Sequence, residues 1–255
     1  MPINDTPDGT FPGRSPEPKK DTLENTYQFL KDNQLDIAVC FDGDADRVVF
    51  MDKQGFIGFT ESVAFLSALA VRRSGKKKVA ATVETGKLLD HALADMGVEV
   101  VRGKVGDVPV AHLTRKIDAA IGVESIGVYI MPELGLYPNS IAAALSLLAS
   151  IQDVSEIREF FHKIPTLYLG QHKISCPNEQ KESLKKLIVD NPGAFGSGSV
   201  NTLDGLRMDF ENSWILVRPS GTEPIFRVIA ESPSETETER LLEKASVTLR
   251  KLAGA

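Results

Sequence analysis

Apolar and polar positions along this chain fall into blocks, and the blocks predict its elements. Residues 1–20 carry Pro2, Pro7, Pro12, Pro16 and Pro18 with Gly9 and Gly13, and show no periodic apolar face. An irregular leader is expected there. Asp21-Thr22 then reads as the cap of a helix with Leu23, Tyr27, Phe29 and Leu30 apolar, ending near Asn33. The unbroken run Ile37-Ala38-Val39-Cys40-Phe41 reads as a buried strand, and Val48-Val49-Phe50-Met51 as a second. Gly55 and Gly58 bracket Phe56-Ile57, which suggests a short hairpin from Val48 to Phe59.

From about Thr60 to Phe161 the pattern alternates between the two periods. An Ala/Leu-rich helix runs through Val71, followed by strand Val79–Thr82, helix Gly86–Met96, strand Val98–Val101 and a helix around Val110–Arg115. Strands Ile117–Ile121 and Gly127–Met131 and helix Ser140–Ile151 complete the block. Such alternation argues for an α/β layered domain with a largely parallel sheet. Ligands in such sheets gather at the carboxyl ends of strands, where Lys104 and Glu124 fall. After Pro165, a plausible hinge, the pattern changes. Strands at Thr166–Ser175, Ser199–Leu203, Gly205–Phe210, Trp214–Val217 and Ile225–Ala230 cluster with only two helices, Glu179–Val189 and Ser234–Leu252. Asp204-Gly205 and Glu211-Asn212 are hairpin turn signals. This part is expected to be a smaller α+β domain.

Two loops carry candidate chemistry. Between the first two strands lies Asp42-Gly43-Asp44-Ala45-Asp46-Arg47. Three carboxylates at alternate positions do not all ionise cheaply without a cation among them. Oxygen-only ligands in a tight cluster suit a hard divalent ion such as Mg²⁺. Arg47 adds a fixed donor fork for phosphate or carboxylate. Far downstream, Arg218-Pro219-Ser220-Gly221-Thr222-Glu223-Pro224 and then Arg227 follow an apolar strand. Two hydroxyls, a glycine that exposes backbone N–H groups and two guanidinium groups make an anion cradle. The prolines stiffen it, which reduces the entropy lost on binding.

Composition narrows the classes further. The chain has 255 residues, a net charge of −6, 42% hydrophobic and 25% charged residues, which is the profile of an ordinary soluble protein. An acidic chain is a poor nonspecific nucleic-acid binder, and the basic run Lys76-Lys77-Lys78 reads as a solvated turn. Cys40 and Cys176 are far apart, so no disulfide framework is expected and a reducing cytoplasm is the default location. No apolar run reaches the ~18 residues that a bilayer span needs. His91, His112, His162 and His172 show no metal-ligand spacing.

The two loops together resemble those of the phosphohexomutase superfamily, which includes phosphomannomutases and phosphoglucomutases. DGDADR is similar to that family's Mg²⁺ loop and RPSGTEP to the phosphate-binding loop of its last domain. The likeness extends to Phe11-Pro12-Gly13-Arg14-Ser15-Pro16-Glu17-Pro18, to Lys104-Val105-Gly106-Asp107 and to Gly122-Val123-Glu124, in the family's order. The resemblance implies an irregular leader at 1–20, the tail of a second α/β domain at 21–58, an α/β third domain with the sugar loop at 59–162 and an α+β fourth domain at 163–255. It implies that Asp42, Asp44 and Asp46 hold Mg²⁺ and that Arg47 and Lys104 act at the reacting phosphoryl group. It further implies that Glu124 binds the sugar and that Arg218, Ser220, Gly221, Thr222 and Arg227 grip the phosphate that is not reacting. The chain departs from the family's sugar loop. Ile126 falls where a Ser or Asn usually stands and Val123 where a Gly does, and an isoleucine cannot hydrogen-bond a hydroxyl.

In that family a catalytic phosphoserine sits in a TASHNP-like loop of the first domain. No such loop occurs in this sequence, and Ser15, Ser74, Ser197 and Ser220 lack its context. The expectation is therefore a phosphohexomutase-related chain acting on a hexose phosphate, inactive alone unless a separate chain supplies the first domains. A non-catalytic sugar-phosphate-binding subunit is an alternative. A remoter one is a HAD-type phosphatase with Asp42 as nucleophile and Asp44 as acid/base, although RPSGTEP has no place in that chemistry.

Overall fold

The structure is a computed structural model that describes residues 1–162 and 164–254. The chain forms two compact units. The first comprises Met1–Ala81, Leu89–Val101 and Gly106–Ile164, and the second comprises Thr82–Leu88, Arg102–Val105 and the chain from Pro165 on.

In the first unit the leader has no regular element before a 3₁₀ turn at Asp21–Leu23 and helix α1 (Glu24–Asp32). The expected cap does not form. Leu23 occupies the N-cap without a side-chain bond, while the Thr22 hydroxyl donates back to the Glu17 carbonyl at 2.9 Å. Thr22 therefore fastens the leader rather than the helix. Strands β1 (Ile37–Phe41), β2 (Val48–Asp52) and β3 (Gly55–Ile57) form an antiparallel sheet in that order. Every residue of β2 is buried, which explains its unbroken apolar run. Leu23 and Leu30 close this core against Cys40, Val49 and Met51.

Helix α2 (Phe59–Ser74) ends at Gly75, whose φ of 70° suits the left-handed stop that glycine adopts without steric cost. There follow β4 (Lys78–Thr82), α3 (Leu88–Leu93), β5 (Glu99–Gly103), α4 (Asp107–Lys116), β6 (Gly122–Glu124), β7 (Val128–Ile130), α5 (Ser140–Ser150) and α6 (Ser155–Phe161). The sheet order is β5-β4-β6-β7, with β4 and β6 parallel and β6 and β7 antiparallel. The sheet is thus mixed, within an α/β architecture. The apolar stretch Ile117–Ile121 is not a strand. Ile117 caps α4, Asp118 turns with φ 54°, and Ala119, Ala120 and Ile121 are buried as connection before β6 begins at Gly122. Ala120 N–H donates to the Lys78 carbonyl at 2.8 Å and the Ile121 carbonyl accepts from Ala80 N–H at 3.0 Å, so the buried end of the stretch is the lead from α4 into β6 rather than a strand of its own.

The second unit is built on an antiparallel sheet of β8 (Tyr168–Ser175), β9 (Ser199–Asn201), β10 (Leu206–Asp209), β11 (Trp214–Pro219) and β12 (Ile225–Ser232), ordered β8-β12-β11-β10-β9. Helices α7 (Lys181–Asp190) and α8 (Glu235–Leu252) cover one face, with Leu184, Ile188, Leu241, Leu242 and Leu249 packed on Met208, Ile215, Val217, Phe226 and Val228. Val83, Trp214, Leu216 and Ile229 form a second cluster. This is the α+β architecture expected of the C-terminal part. Among the described residues no single helix is long and apolar enough to cross a membrane.

Candidate functional site

In the first unit the antiparallel pairing of β1 with β2 ends at Phe41 and Val48, so the acidic loop is held at both ends by sheet. The Asp42 N–H donates to the Arg47 carbonyl at 3.2 Å, and the Arg47 N–H returns to Asp42 Oδ1 at 3.1 Å. Within this closed turn Ala45 adopts φ 58°, and the Ser140 hydroxyl donates to its carbonyl. Asp42, Asp44 and Asp46 each present a carboxylate oxygen within 4.8 Å of the others. Asp42 is buried, Asp46 partly buried and Asp44 exposed, so the cluster opens to solvent on one side. Arg47 Nε lies 2.7 Å from Asp42 Oδ2 and 3.3 Å from Asp46 Oδ1, and its Nη1 is 3.3 Å from Glu17 Oε1. The leader is therefore tied to the loop through Glu17.

The electrostatics are those of crowded acids. Burial works to raise Asp42, but a hydrogen bond from Asp46 and the Arg47 N–H and guanidinium outweigh it, and Asp42 is held below the usual carboxylate range. Asp46 is pushed up to about 6 by burial, by the shared hydrogen bond with Asp42 and by the charges of Asp42 and Asp44. A proton shared between Asp42 and Asp46 is what this crowding favours. The donor set is oxygen only, is partly desolvated and is open on the Asp44 side. It fits a hard divalent cation.

Arg47 also forms a β-bridge with Val128, and Val48 donates to the Gly127 carbonyl at 3.1 Å. Val128 is in turn the register partner of Glu124 across β6 and β7. The acidic loop and the segment expected to bind sugar are thereby stitched side by side within this unit. Gly127 makes the approach feasible. Its φ is 85°, and a Cβ there would lie 2.8 Å from the Val48 carbonyl oxygen. Glu124 is buried and accepts from the Gly106 N–H at 3.1 Å. Val123 is fully buried, whereas Ile126 is 41% exposed and available to whatever approaches this loop.

In the second unit Arg218 and Arg227 are cross-strand partners on β11 and β12, at the open end of the loop between them. Ser220 N–H donates to the Ile225 carbonyl at 2.9 Å, and Ser220 Oγ accepts from the Glu223 N–H at 3.1 Å. Gly221 and Thr222 are exposed at the tip. The two guanidinium groups already hold carboxylates. Arg218 Nη1 donates to Glu84 Oε1 at 2.6 Å with Asp204 Oδ2 3.5 Å from Nε, and Arg227 Nη2 donates to Glu223 Oε2 at 3.0 Å. The Nε atoms of Arg218 and Arg227 are buried with no hydrogen-bond partner. Lys104, the other residue expected to act, is exposed in the segment Arg102–Val105 of this unit, directly after β5. The neighbouring Val105 N–H donates to Asp204 Oδ2 at 3.2 Å.

Three residues at this loop gave little sequence signal. Glu84 and Asp204 supply the carboxylates, and Lys181 donates from below to the carbonyls of Ser220 at 2.7 Å and Glu223 at 2.5 Å. Asp204 was legible only as half of a turn dipeptide. Glu84 sits in a Thr-rich strand exit, and Lys181 at the first turn of a helix.

An acid-lined strand turn in an α/β unit and a two-arginine loop in an α+β unit define the class to which the chain belongs. Profiles of phosphoglucomutase/phosphomannomutase match it three times in order: α/β/α domain II over residues 1–55, α/β/α domain III over 60–168 and the C-terminal domain over 173–246. The chain belongs to the phosphoglucomutase/phosphomannomutase superfamily. It is 36% identical over 250 residues to a phosphoglucosamine mutase of Methanocaldococcus jannaschii, covering 95% of this chain and 55% of the relative. A phosphoglucomutase/phosphomannomutase family protein of Burkholderia thailandensis shares the fold, with a TM-score of 0.82 at 21% identity over 96% of this chain and 53% of that one. N-acetylphosphoglucosamine mutase of Aspergillus fumigatus, solved in complex with GlcNAc-6P and magnesium, has a TM-score of 0.54 at 15% identity, covering 89% of this chain and 52% of that one. The chain spans about half the length of the curated relatives it matches. These matches do not favour the aspartyl-phosphatase alternative.

Proposed function

We propose that this chain carries the metal-binding and phosphate-binding machinery of a hexose-phosphate mutase, and that its substrate belongs to the phosphoglucosamine class. The reading rests on one observation above the others. Within a single chain of this superfamily, an oxygen-only acid cluster lies in the stretch that matches domain II and a loop bordered by two arginines lies in the stretch that matches the C-terminal domain. The phosphoglucosamine mutases among its relatives support the amino-sugar assignment.

Asp42, Asp44 and Asp46 would hold Mg²⁺, which when bound offsets negative charge on a phosphoryl group. Arg47 keeps the acids in register by bonding Asp42 and Asp46, and presents its guanidinium beside them. Arg218, Ser220, Gly221, Thr222 and Arg227 would bind the phosphate at the far end of the sugar, fixing the reacting end in place. Glu124 would accept hydrogen bonds from sugar hydroxyls, while Ile126 offers none and so relaxes selection at that side. Lys104 would supply a cation to the reacting group. Turnover would further draw on a phosphoryl-carrying serine, and a loop that carries one is the proposed partner of the groups described here.

The test is calorimetry with glucosamine-6-phosphate and Mg²⁺, with turnover assayed alone and after adding a polypeptide that carries the phosphoserine loop. Binding without turnover, restored by the added polypeptide, is expected. Failure to bind sugar phosphate at millimolar concentration sinks the reading.

A further inference from the structure

Lys181 stands out among the cations of the second unit. It opens α7 and is buried, yet its ammonium donates only to two backbone carbonyls, Ser220 at 2.7 Å and Glu223 at 2.5 Å. Among the described residues no carboxylate pairs with it. Lys173, Arg218 and Arg227, by contrast, each hold a carboxylate. Burying a charge without a counter-charge is costly, so such a group persists where something else returns the energy.

The bonds that Lys181 makes decide where the loop's other groups point. Both carbonyls are drawn inward to one cation. The Ser220 N–H goes to Ile225, the Glu223 N–H to Ser220 Oγ and the Ile225 N–H to the Glu223 carbonyl at 2.8 Å. Cys176 N–H adds a fourth tie, to the Pro224 carbonyl at 2.9 Å. Among the described residues the N–H groups of Gly221 and Thr222, both exposed, have no acceptor. These two exposed amides thus sit at the tip of a tied-down loop whose two ends carry the guanidinium groups of Arg218 and Arg227.

We propose that Lys181 is a positioning residue for anion binding at this loop, resting on the phosphate-loop reading above. It turns the Gly221 amide outward by holding the Ser220 carbonyl of the same peptide inward, and it fixes the far side of the tip, beyond Thr222, through the Glu223 carbonyl. It also places an uncompensated positive charge under the seat, which a phosphate dianion completes. The amides act on the ligand directly, whereas Lys181 acts through the loop and through its field.

The test uses the full chain with inorganic phosphate and glucosamine-6-phosphate as probes. Lys181→Met keeps the side-chain volume and removes the charge. Lys181→Arg keeps the charge, and Lys186→Met removes an exposed charge from the same helix. Lys181→Met is expected to weaken phosphate binding about tenfold or more, with Lys181→Arg recovering part of the loss. Lys186→Met should leave binding unchanged, and Mg²⁺ binding at the acidic loop should be the same in all three. A folded Lys181→Met protein that binds phosphate like the wild type overturns the inference and leaves the phosphate-loop reading intact. Wild-type protein that binds no phosphate overturns both. Should Lys181→Met fail to fold, the side-chain ammonium resonance of Lys181 in the wild type decides. It should shift on phosphate addition together with the Gly221 and Thr222 amides, and a stationary signal counts against the role.

Discussion

Glu84 and Arg218 are 134 residues apart in sequence and meet at 2.6 Å, Oε1 to Nη1, with little of either side chain exposed. The arginine proposed to receive phosphate thus already holds a carboxylate, and Asp204 approaches its Nε. A phosphate dianion arriving there must contend with two negative charges. Glu84→Gln keeps an acceptor oxygen and removes one of them. Calorimetry should show phosphate affinity raised by about 1 kcal/mol, a factor of roughly five, together with lower thermal stability. Unchanged or weaker phosphate binding would show that Glu84 does not compete.

Arg218→Ala acts in the opposite direction. A charge-assisted hydrogen bond contributes about 1.5–3 kcal/mol, so phosphate binding should weaken on the order of tenfold or more. The donors are N–H and O–H groups, so EDTA should change nothing. An amide titration that moves none of Ser220, Gly221 and Thr222 in the wild type would remove the loop from the site.

Asp44 separates metal binding from stability. It is exposed, whereas Asp42 is buried and bonded to Arg47. Asp44→Ala should abolish Mg²⁺ binding by calorimetry and shift the melting temperature little. Asp42→Ala removes the buried partner of Arg47, which keeps Asp46 and Glu17, and should cost about 1–3 kcal/mol of stability in a denaturant melt. Equal Mg²⁺ affinity in wild type and Asp44→Ala would exclude Asp44 from the cluster.

Arg207 anchors the second unit's sheet to the segment Thr82–Leu88. Its side chain is 1% exposed, lies over the Trp214 ring at 4.1 Å, and donates to the carbonyls of Val83 at 2.6 Å and Thr85 at 2.9 Å and to both Asp209 oxygens at 2.9 Å. Arg207→Ala removes the cation from under Asp209 and leaves buried acceptors unpaired, so a loss of about 3–5 kcal/mol in urea unfolding is expected.

The same pair sets a pH dependence. Burial would raise the Asp209 carboxyl, but the fork from Arg207 and the charges of Arg207, Arg102 and Lys87 outweigh it and hold it below its ordinary value. A lowered folded-state value means that the unfolded chain takes up the proton first as pH falls. The stabilisation is therefore full above the unfolded value of about 3.9 and is lost as pH drops through the folded value. Urea melts between about pH 5 and pH 2 should show a steeper loss of stability with falling pH for the wild type than for Asp209→Asn. Parallel curves would count against this assignment.

The sequence by itself determined much of this protein, wherever the signal was local. The apolar runs of β1 and β2 reveal themselves because both are packed in one core. The α+β character of the C-terminal part follows from closely spaced strands and turn dipeptides such as Asp204-Gly205. The acid triplet and the Arg218–Arg227 loop are readable because each packs its chemistry into a few consecutive residues. Tertiary structure alone decided what these groups touch. Ala119, Ala120 and Ile121 are apolar because they are buried on the way from α4 into β6, and the sheet alone decides that the strand proper begins at Gly122. The bridge of Arg47 to Val128, the Glu84 carboxylate on Arg218 and the Lys181 ammonium beneath Ser220 join residues tens to more than a hundred positions apart. No local period encodes such meetings, since they arise only once the sheets fix which loop ends become neighbours.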